Sequence, residues 1–249
     1  MTILSQEQRA ASLEAMTSQK FDVLVIGGGV TGAGIALDAA SRGLSIAVIE
    51  GQDWASGTSS RSSRLVHGGL RYLYNLDFKL VAEALRERGR LLTTIAPHLV
   101  EAQPFLWPLK TPVIERAYSA VGVGMYDALA RIGSKGRKTV PIQRHLSKAG
   151  AMRRFPQIKS DALIGAIEFY DARVDDARLV ITLIRTAMKY GAAAASRVKV
   201  TEILKDGRGR ASGVKAVDLE NGSEFTIEAD RIINATGVWT EETQDLAGG

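Results

Sequence analysis

The sequence contains no cysteine. That excludes a disulfide framework, a thiolate metal site and a cysteine nucleophile. Its three histidines, at positions 67, 98 and 145, are scattered, so a histidine-built metal centre is not expected and no metal is assigned. No run reaches the ~18 or more uninterrupted apolar residues of a membrane span. The opening MTILSQEQRAASLEAM lacks a basic segment followed by an apolar core, so no secretory signal is read there. A cytoplasmic location follows as the expectation. Internal repeats and low-complexity tracts are missing. Acid is missing from one place: residues 131–159 hold nine Lys/Arg and no Asp or Glu.

What is present is ordinary for a globular chain. Of 249 residues, 45% are hydrophobic and 24% charged, enough to bury a substantial core. The net charge of +5 raises the question of nucleic acid. No helix-turn-helix or RNA-binding signature accompanies it, so nucleic acid is not expected as a partner. The basic stretch is read as a solvated surface or as a patch that meets anionic lipid headgroups.

The patterning predicts an α/β chain. Residues 5–17 read as a helix capped by Ser5. FDVLVIGGG is a buried strand ending in glycines, the helix of residues 30–41 follows, and LSIAVIE is a second buried strand; together they make one βαβ unit. Asp77 caps a helix to about residue 94, PFLWPL is extended, and residues 114–132 read as helical. ALIGAIEFYDARV is extended and leads to a helix over about 176–190. SRVKVTEIL, SGVKAVDLE and SEFTIEA form an antiparallel meander, its last turn marked by Asn-Gly. DRIINATG then reads as a separate short buried strand. The fold class is Rossmann-like, a βαβ unit plus meander, with an α+β substrate part. Residues 1–20 form an N-terminal helical extension, 21–95 and 175–249 mainly bind the nucleotide, and about 96–174 belong to the substrate region.

The nucleotide signature is G-x-G-x-x-G at Gly27, Gly29 and Gly32, opening a helix after an apolar strand, with Glu50 at the end of the next strand. Gly27 permits the tight turn, Gly29 lets backbone approach a pyrophosphate at the helix N-terminus, and Gly32 lets helix and strand pack. Gly28, Val30 and Thr31 complete that turn. Glu50 can accept hydrogen bonds from an adenosine ribose. The following loop, Gly57, Thr58, Ser59, Ser60 and Arg61, offers hydroxyls, amides and a cation suited to a large anionic cofactor.

With GTSSRSSRLVHGGLRYL, EALRERGRLL, PFLWPL, DARVDDARL and NATGVW, the chain from 21 to 240 resembles FAD-dependent glycerol-3-phosphate dehydrogenases. The resemblance implies non-covalent FAD, closed over by the 57–61 loop and by Ala235, Thr236 and Gly237. It implies oxidation of sn-glycerol 3-phosphate to dihydroxyacetone phosphate and delivery of electrons to a membrane quinone, from a peripheral position on the membrane. It also implies that Arg71 and Tyr72 contact substrate. Members of that family are longer, and the rest of the substrate domain and a returning FAD segment are missing from this sequence, so the expectation is either a fragment of a longer protein or a truncated product. The wider superfamily includes D-amino acid oxidases, so a flavin oxidase or a non-catalytic FAD-binding module are the competing readings.

HGGLRYL, residues 67–73, is read against that background. Gly68 and Gly69 let backbone pass close to a flat isoalloxazine. His67 is then a general base for the alcohol proton, a hydrogen-bond partner of the flavin, or a structural residue. Arg71 can grip a phosphate dianion or form a buried ion pair. Tyr72 can donate to a phosphate oxygen or simply pack. Trp54, Trp107 and Trp239 are expected in the core, and Asp171, Asp175 and Asp176 are not expected to hold a metal.

Overall fold

The computed structural model describes residues 4–69, 72, 75, 77–111, 124, 125, 128 and 140–248. The chain divides into two compact units, Met1–Ser63 with Asp176–Gly249, and Arg64–Asp175. Residues 64–95, expected with the nucleotide-binding part, therefore fall in the second unit.

The first unit is built on a six-stranded sheet. Its elements are α1 (Gln6–Ser18), β1 (Phe21–Ile26), α2 (Val30–Ser41), β2 (Ile46–Glu50), α5 (Asp176–Lys189), β7 (Ala193–Ser196), β8 (Val198–Lys205), β9 (Ala211–Asp218), β10 (Glu224–Asn234) and α6 (Thr240–Asp245). Sheet order is β7-β2-β1-β10-β9-β8. The first four strands are parallel, and β10, β9 and β8 form the meander.

Strand alternation divides the core. Leu24, Ile26, Ala47 and Ile49 face a cluster with Met16 of α1 and Val214 and Ile227 of the meander. Val25, Ile46 and Val48 face the opposite cluster, with Ala33 and Ala36 of α2 and Val180 and Ile184 of α5. Both faces of β1 and β2 are thus covered, which is why they read as continuous apolar runs.

Two elements differ from expectation. DRIIN is not a separate strand: β10 runs unbroken from Glu224 to Asn234, antiparallel to β9 over its first half and parallel to β1 over its second. β7 was not foreseen. Its alanines have low strand propensity, and they form a strand because they sit between β2 and two buried clusters.

β7 is an edge strand, and α1 covers it. The Ala194 N–H donates to Ser12 Oγ at 3.2 Å, and the Ser196 carbonyl accepts from Arg9 at 3.0 and 3.1 Å. Unpaired edge groups are thereby satisfied by a helix. A capping box joins Ser5 and Gln8 at the start of α1. Arg9 also forms a fork with Asp218, at 2.6 and 3.2 Å, and meets Glu220 at 3.2 Å.

The second unit carries β3 (Leu65–Val66), α3 (Phe78–Arg90), β4 (Glu101–Leu109), β5 (Arg144–Ser147), α4 (Lys148–Arg154) and β6 (Gly165–Arg173). β6 is central: β4 pairs along one side, and β3 and β5 share the other, all antiparallel. Pro104 and Pro108 are tolerated because β4 is, among the described residues, an edge strand. Asp77 caps α3 as expected, but the last turn, Leu91–Ile95, widens into a π-helix. β3, β5 and α4 were not foreseen, being too short for a periodic signal. The expected helix over 114–132 lies outside the described residues apart from 124, 125 and 128. The basic stretch does have a compensating acid: Arg154 meets Glu168, brought from β6, at 3.2 Å. No helix among the described residues is long and apolar enough to cross a membrane.

The Arg9 fork generates a pH-linked prediction. The Arg9 guanidinium, donating to Asp218, holds that buried carboxyl below the usual aspartate range. A depressed folded value stabilises the fold above the unfolded value of about 3.9 and loses that contribution as pH falls through the folded one. Arg9→Ala leaves a buried carboxylate without its cation and is expected to cost roughly 3 kcal/mol at neutral pH. Denaturant titration at pH 7 and below pH 4 checks both parts: the variant's deficit shrinks in acid.

Candidate functional site

The dinucleotide signature sits at the carboxyl ends of β1, β2 and β10, where an open α/β sheet offers a crevice. The Gly27 N–H donates to the Ile49 carbonyl at 2.8 Å and the Ala235 N–H to the Ile26 carbonyl at 2.8 Å, so the three strand ends are stitched together. Gly27 has φ +113°, and a Cβ there would lie 2.4 Å from the Ala235 oxygen. A Cβ at Gly32 would lie 1.9 Å from the Gly27 oxygen. These two contacts put the N-terminus of α2 directly against the strand ends.

That N-terminus has no side-chain cap of its own. Instead the Val30 N–H donates to Ser59 Oγ at 3.0 Å, which draws the 57–61 loop over it. Glu50 is held at both oxygens: Oε2 accepts from the Gly28 N–H and Oε1 from the Gln52 N–H, each at 2.7 Å. The remaining lone pairs of the carboxylate stay available to a hydroxyl donor.

A cavity of about 610 Å³ opens here, lined among others by Gly27, Gly29, Val30, Thr31, Glu50, Gly57, Thr58, Ser59, Ala235, Thr236 and Gly237. Gly28, Gly32, Ser60 and Arg61 are not on its wall. Gly28 faces Trp54, whose ring a Cβ would strike at 2.4 Å, and Gly32 is a packing residue. Arg61 turns back onto its own loop, donating to the Ser56 and Gly57 carbonyls. Trp239, expected in the core, lines the cavity.

Part of the wall was not found from the sequence. Gln52, Arg197, Val198, Lys199, Val200 and Leu219 form it. Arg197 holds φ +61°, unusual for a residue with a side chain. Its N–H donates to the Gln52 carbonyl and its own carbonyl accepts from the Leu219 N–H, which holds the strained residue in place. Nothing local in the sequence marks it, because the turn exists only once β7 and β8 are recognised as different strands. Arg197 and Lys199 bring positive charge to the cavity.

The second group of candidates lies in the other unit. His67, Gly69 and Tyr72 line a pocket of about 330 Å³ with Leu65, Phe105, Phe169 and Asp171. His67 is exposed and Gly68 and Gly69 are buried. Phe105 and Phe169 stack at 5.5 Å. Gly69 has φ +78°, and a Cβ there would lie 2.7 Å from the Tyr72 ring. The contact that this glycine admits within its unit is therefore Tyr72, whose N–H donates to the Gly69 carbonyl at 2.8 Å. Arg71 lies outside the described residues. Asp176 accepts from Ser62, and Asp171 takes up Arg88 and the Gly68 N–H. Among the described residues no acidic or histidine cluster suits a metal.

The first cavity fits the adenosine diphosphate half of FAD. A glycine cradle stands against a helix N-terminus, which suits a pyrophosphate, and a braced carboxylate keeps lone pairs that would suit ribose hydroxyls. Gly32→Ala must push α2 away from β1 and is expected to abolish retention of flavin through purification. Gly34→Ala, where a Cβ meets nothing within 4 Å, is expected to retain it fully. The ratio of 450 nm to 280 nm absorbance distinguishes the two.

The comparisons agree with this geometry. The sequence is 51% identical over 244 residues to a glycerol-3-phosphate dehydrogenase of Mycobacterium leprae, covering 98% of this chain and 41% of that protein. It is 43% identical over 258 residues to the mitochondrial glycerol-3-phosphate dehydrogenase of Rattus norvegicus, covering 98% and 34%. The structure of glycerol-3-phosphate dehydrogenase from Bacillus halodurans complexed with FAD superimposes with a TM-score of 0.72 at 29% identity, over 98% of this chain and 40% of that one. The chain thus spans between about a third and two-fifths of the length of these relatives. The profile of the family described as FAD dependent oxidoreductase matches residues 22–249, and the chain belongs to that family.

Proposed function

We propose that the whole protein oxidises sn-glycerol 3-phosphate to dihydroxyacetone phosphate and passes the electrons to a membrane quinone. The observation that carries this reading is the 51% identity, over 98% of this chain, to a glycerol-3-phosphate dehydrogenase. A cavity of about 610 Å³ lined by the glycine turn and Glu50 supports FAD as its cofactor. FAD, when bound, supplies the hydride acceptor.

The chain's own residues have the remaining work. The α2 N-terminus, with about half a positive charge, holds the pyrophosphate. Glu50 accepts the ribose hydroxyls, and Arg197 and Lys199 offset the cofactor's negative charge. In the second unit His67 stands at the rim of a pocket with an aromatic wall. As a neutral imidazole it accepts the alcohol proton when the hydride leaves C2, or it hydrogen-bonds the flavin. Tyr72 donates to a substrate oxygen, and Arg71 binds the phosphate. The exposed cations Arg144, Lys148, Arg153 and Lys159 suit an anionic membrane surface on the cytoplasmic face, where a lipid-soluble quinone must be met.

One experiment in two arms tests this. Anaerobic glycerol 3-phosphate is expected to bleach the bound flavin at 450 nm, with reoxidation by a quinone analogue much faster than by oxygen. An unbleached flavin would remove the substrate assignment, and rapid peroxide formation would favour an oxidase. In the second arm the protein is expected to sediment with anionic vesicles, less so as salt rises. Unchanged sedimentation after reversing Lys148, Arg153 and Lys159 to glutamate would remove the membrane patch.

A further inference from the structure

β3 pairs with β6 only through Leu65 and Val66. The chain then leaves the sheet, and two residues later the Gly68 N–H donates to the Asp171 carboxylate, at 3.1 Å to Oδ1 and 3.3 Å to Oδ2. Asp171 is 5% exposed and lies on β6, next to Ala172, the partner of Val66. A carboxylate buried this far needs a cation, and Arg88 supplies it. Arg88 reaches from α3, is itself 1% exposed, and donates to Asp171 Oδ1 at 2.7 Å. The same guanidinium approaches the Tyr170 carbonyl at 3.4 Å, so it is tied to the strand as well as to the side chain.

The group served by this arrangement is not part of the apolar core. Gly68 lies between His67 and Gly69, and both of these line the 330 Å³ pocket, as does Asp171 itself. A charged acceptor binds an N–H more strongly than a neutral one, and it fixes the amide plane that carries the His67 carbonyl. A segment of glycines has little stiffness of its own. Held at Gly68, it presents His67 at one place; released, it samples many. The requirement is steep, because misplacement of a reacting group by about 1 Å can cost about a hundredfold in rate.

We propose that Asp171, held in place by Arg88, is a positioning residue: it anchors the Gly68 amide and thereby fixes His67 and Gly69 around the pocket where the alcohol is oxidised. This rests on the reading of that pocket given under the proposed function. DARVDDARL supplies this aspartate from the end of β6, and the helix of EALRERGRLL supplies its arginine. Two sequence motifs about 80 residues apart thus serve a third, HGGLRYL.

Replacing one member alone would strand a buried charge and confuse positioning with folding. Two paired replacements avoid this in the full-length holoenzyme. Arg88→Met with Asp171→Asn removes both charges and keeps an oxygen to accept from Gly68. Arg88→Met with Asp171→Leu removes both charges and the acceptor. Hydrogen exchange of residues 65–69 and turnover per bound flavin with glycerol 3-phosphate are then measured for both. The asparagine pair is expected to keep the protection of this segment and a kcat far above that of the leucine pair. The leucine pair is expected to lose that protection while β4 and β6 keep theirs, and to lose about a hundredfold in kcat with KM little changed. Equal kcat in the two pairs would overturn the proposal. So would a leucine pair that deprotects the whole unit or yields no folded holoenzyme, since Asp171 would then be structural. If the parental flavin is not reduced by glycerol 3-phosphate, the substrate reading fails, and the exchange comparison still decides whether Asp171 anchors the segment.

Discussion

The first unit depends on how closely α2 approaches the ends of β1 and β10. Only 1.9 Å separates a Cβ built on Gly32 from the Gly27 carbonyl, and 2.4 Å one built on Gly27 from the Ala235 carbonyl. No side chain of any kind fits either position. With both absent, the helix N-terminus points into the crevice rather than over it. The Val30 N–H becomes available to Ser59 and the Gly28 N–H to Glu50. The rest of the unit supports that approach: apolar clusters on both faces of the sheet, and α1 laid along the β7 edge through Arg9 and Ser12.

The second unit follows a different logic. Its sheet is antiparallel, β3, the strand that leads into the candidate residues, has only two residues, and one of its buried charged pairs lies beside them. Arg88 and Asp171 are among the most buried charged residues described. They sit beside a glycine-rich segment with little secondary structure of its own. In the first unit backbone geometry creates the site; in the second a buried ion pair holds a segment that the sheet has already released.

What the sequence made legible were features with local causes. Gly27, Gly29 and Gly32 announce a turn because no other residue fits it, and Glu50 follows because β2 must end beside that turn. Ser5 and Asp77 announce their helices because a capping side chain lies within three residues of the amide it accepts from. What was not legible had distant causes. β7 is a strand only because β2 lies beside it, and Arg197 is strained only because Gln52 and Leu219 hold it from both sides. Asp171 read as one acid among three; its meaning required Arg88, 83 residues away in sequence. SEFTIEA and DRIIN read as two strands because the continuous β10 changes its pattern near the point where its partner changes from β9 to β1.

The central claim is that the cavity at the ends of β1, β2 and β10 holds the adenosine diphosphate half of FAD and owes nothing to the flavin ring. Its most direct test is competition during reconstitution of the flavin-free protein. ADP and ADP-ribose are expected to displace FAD from this cavity in a titration followed by flavin fluorescence, whereas FMN and riboflavin at equal concentration are not. Displacement by FMN with no effect of ADP would contradict the account.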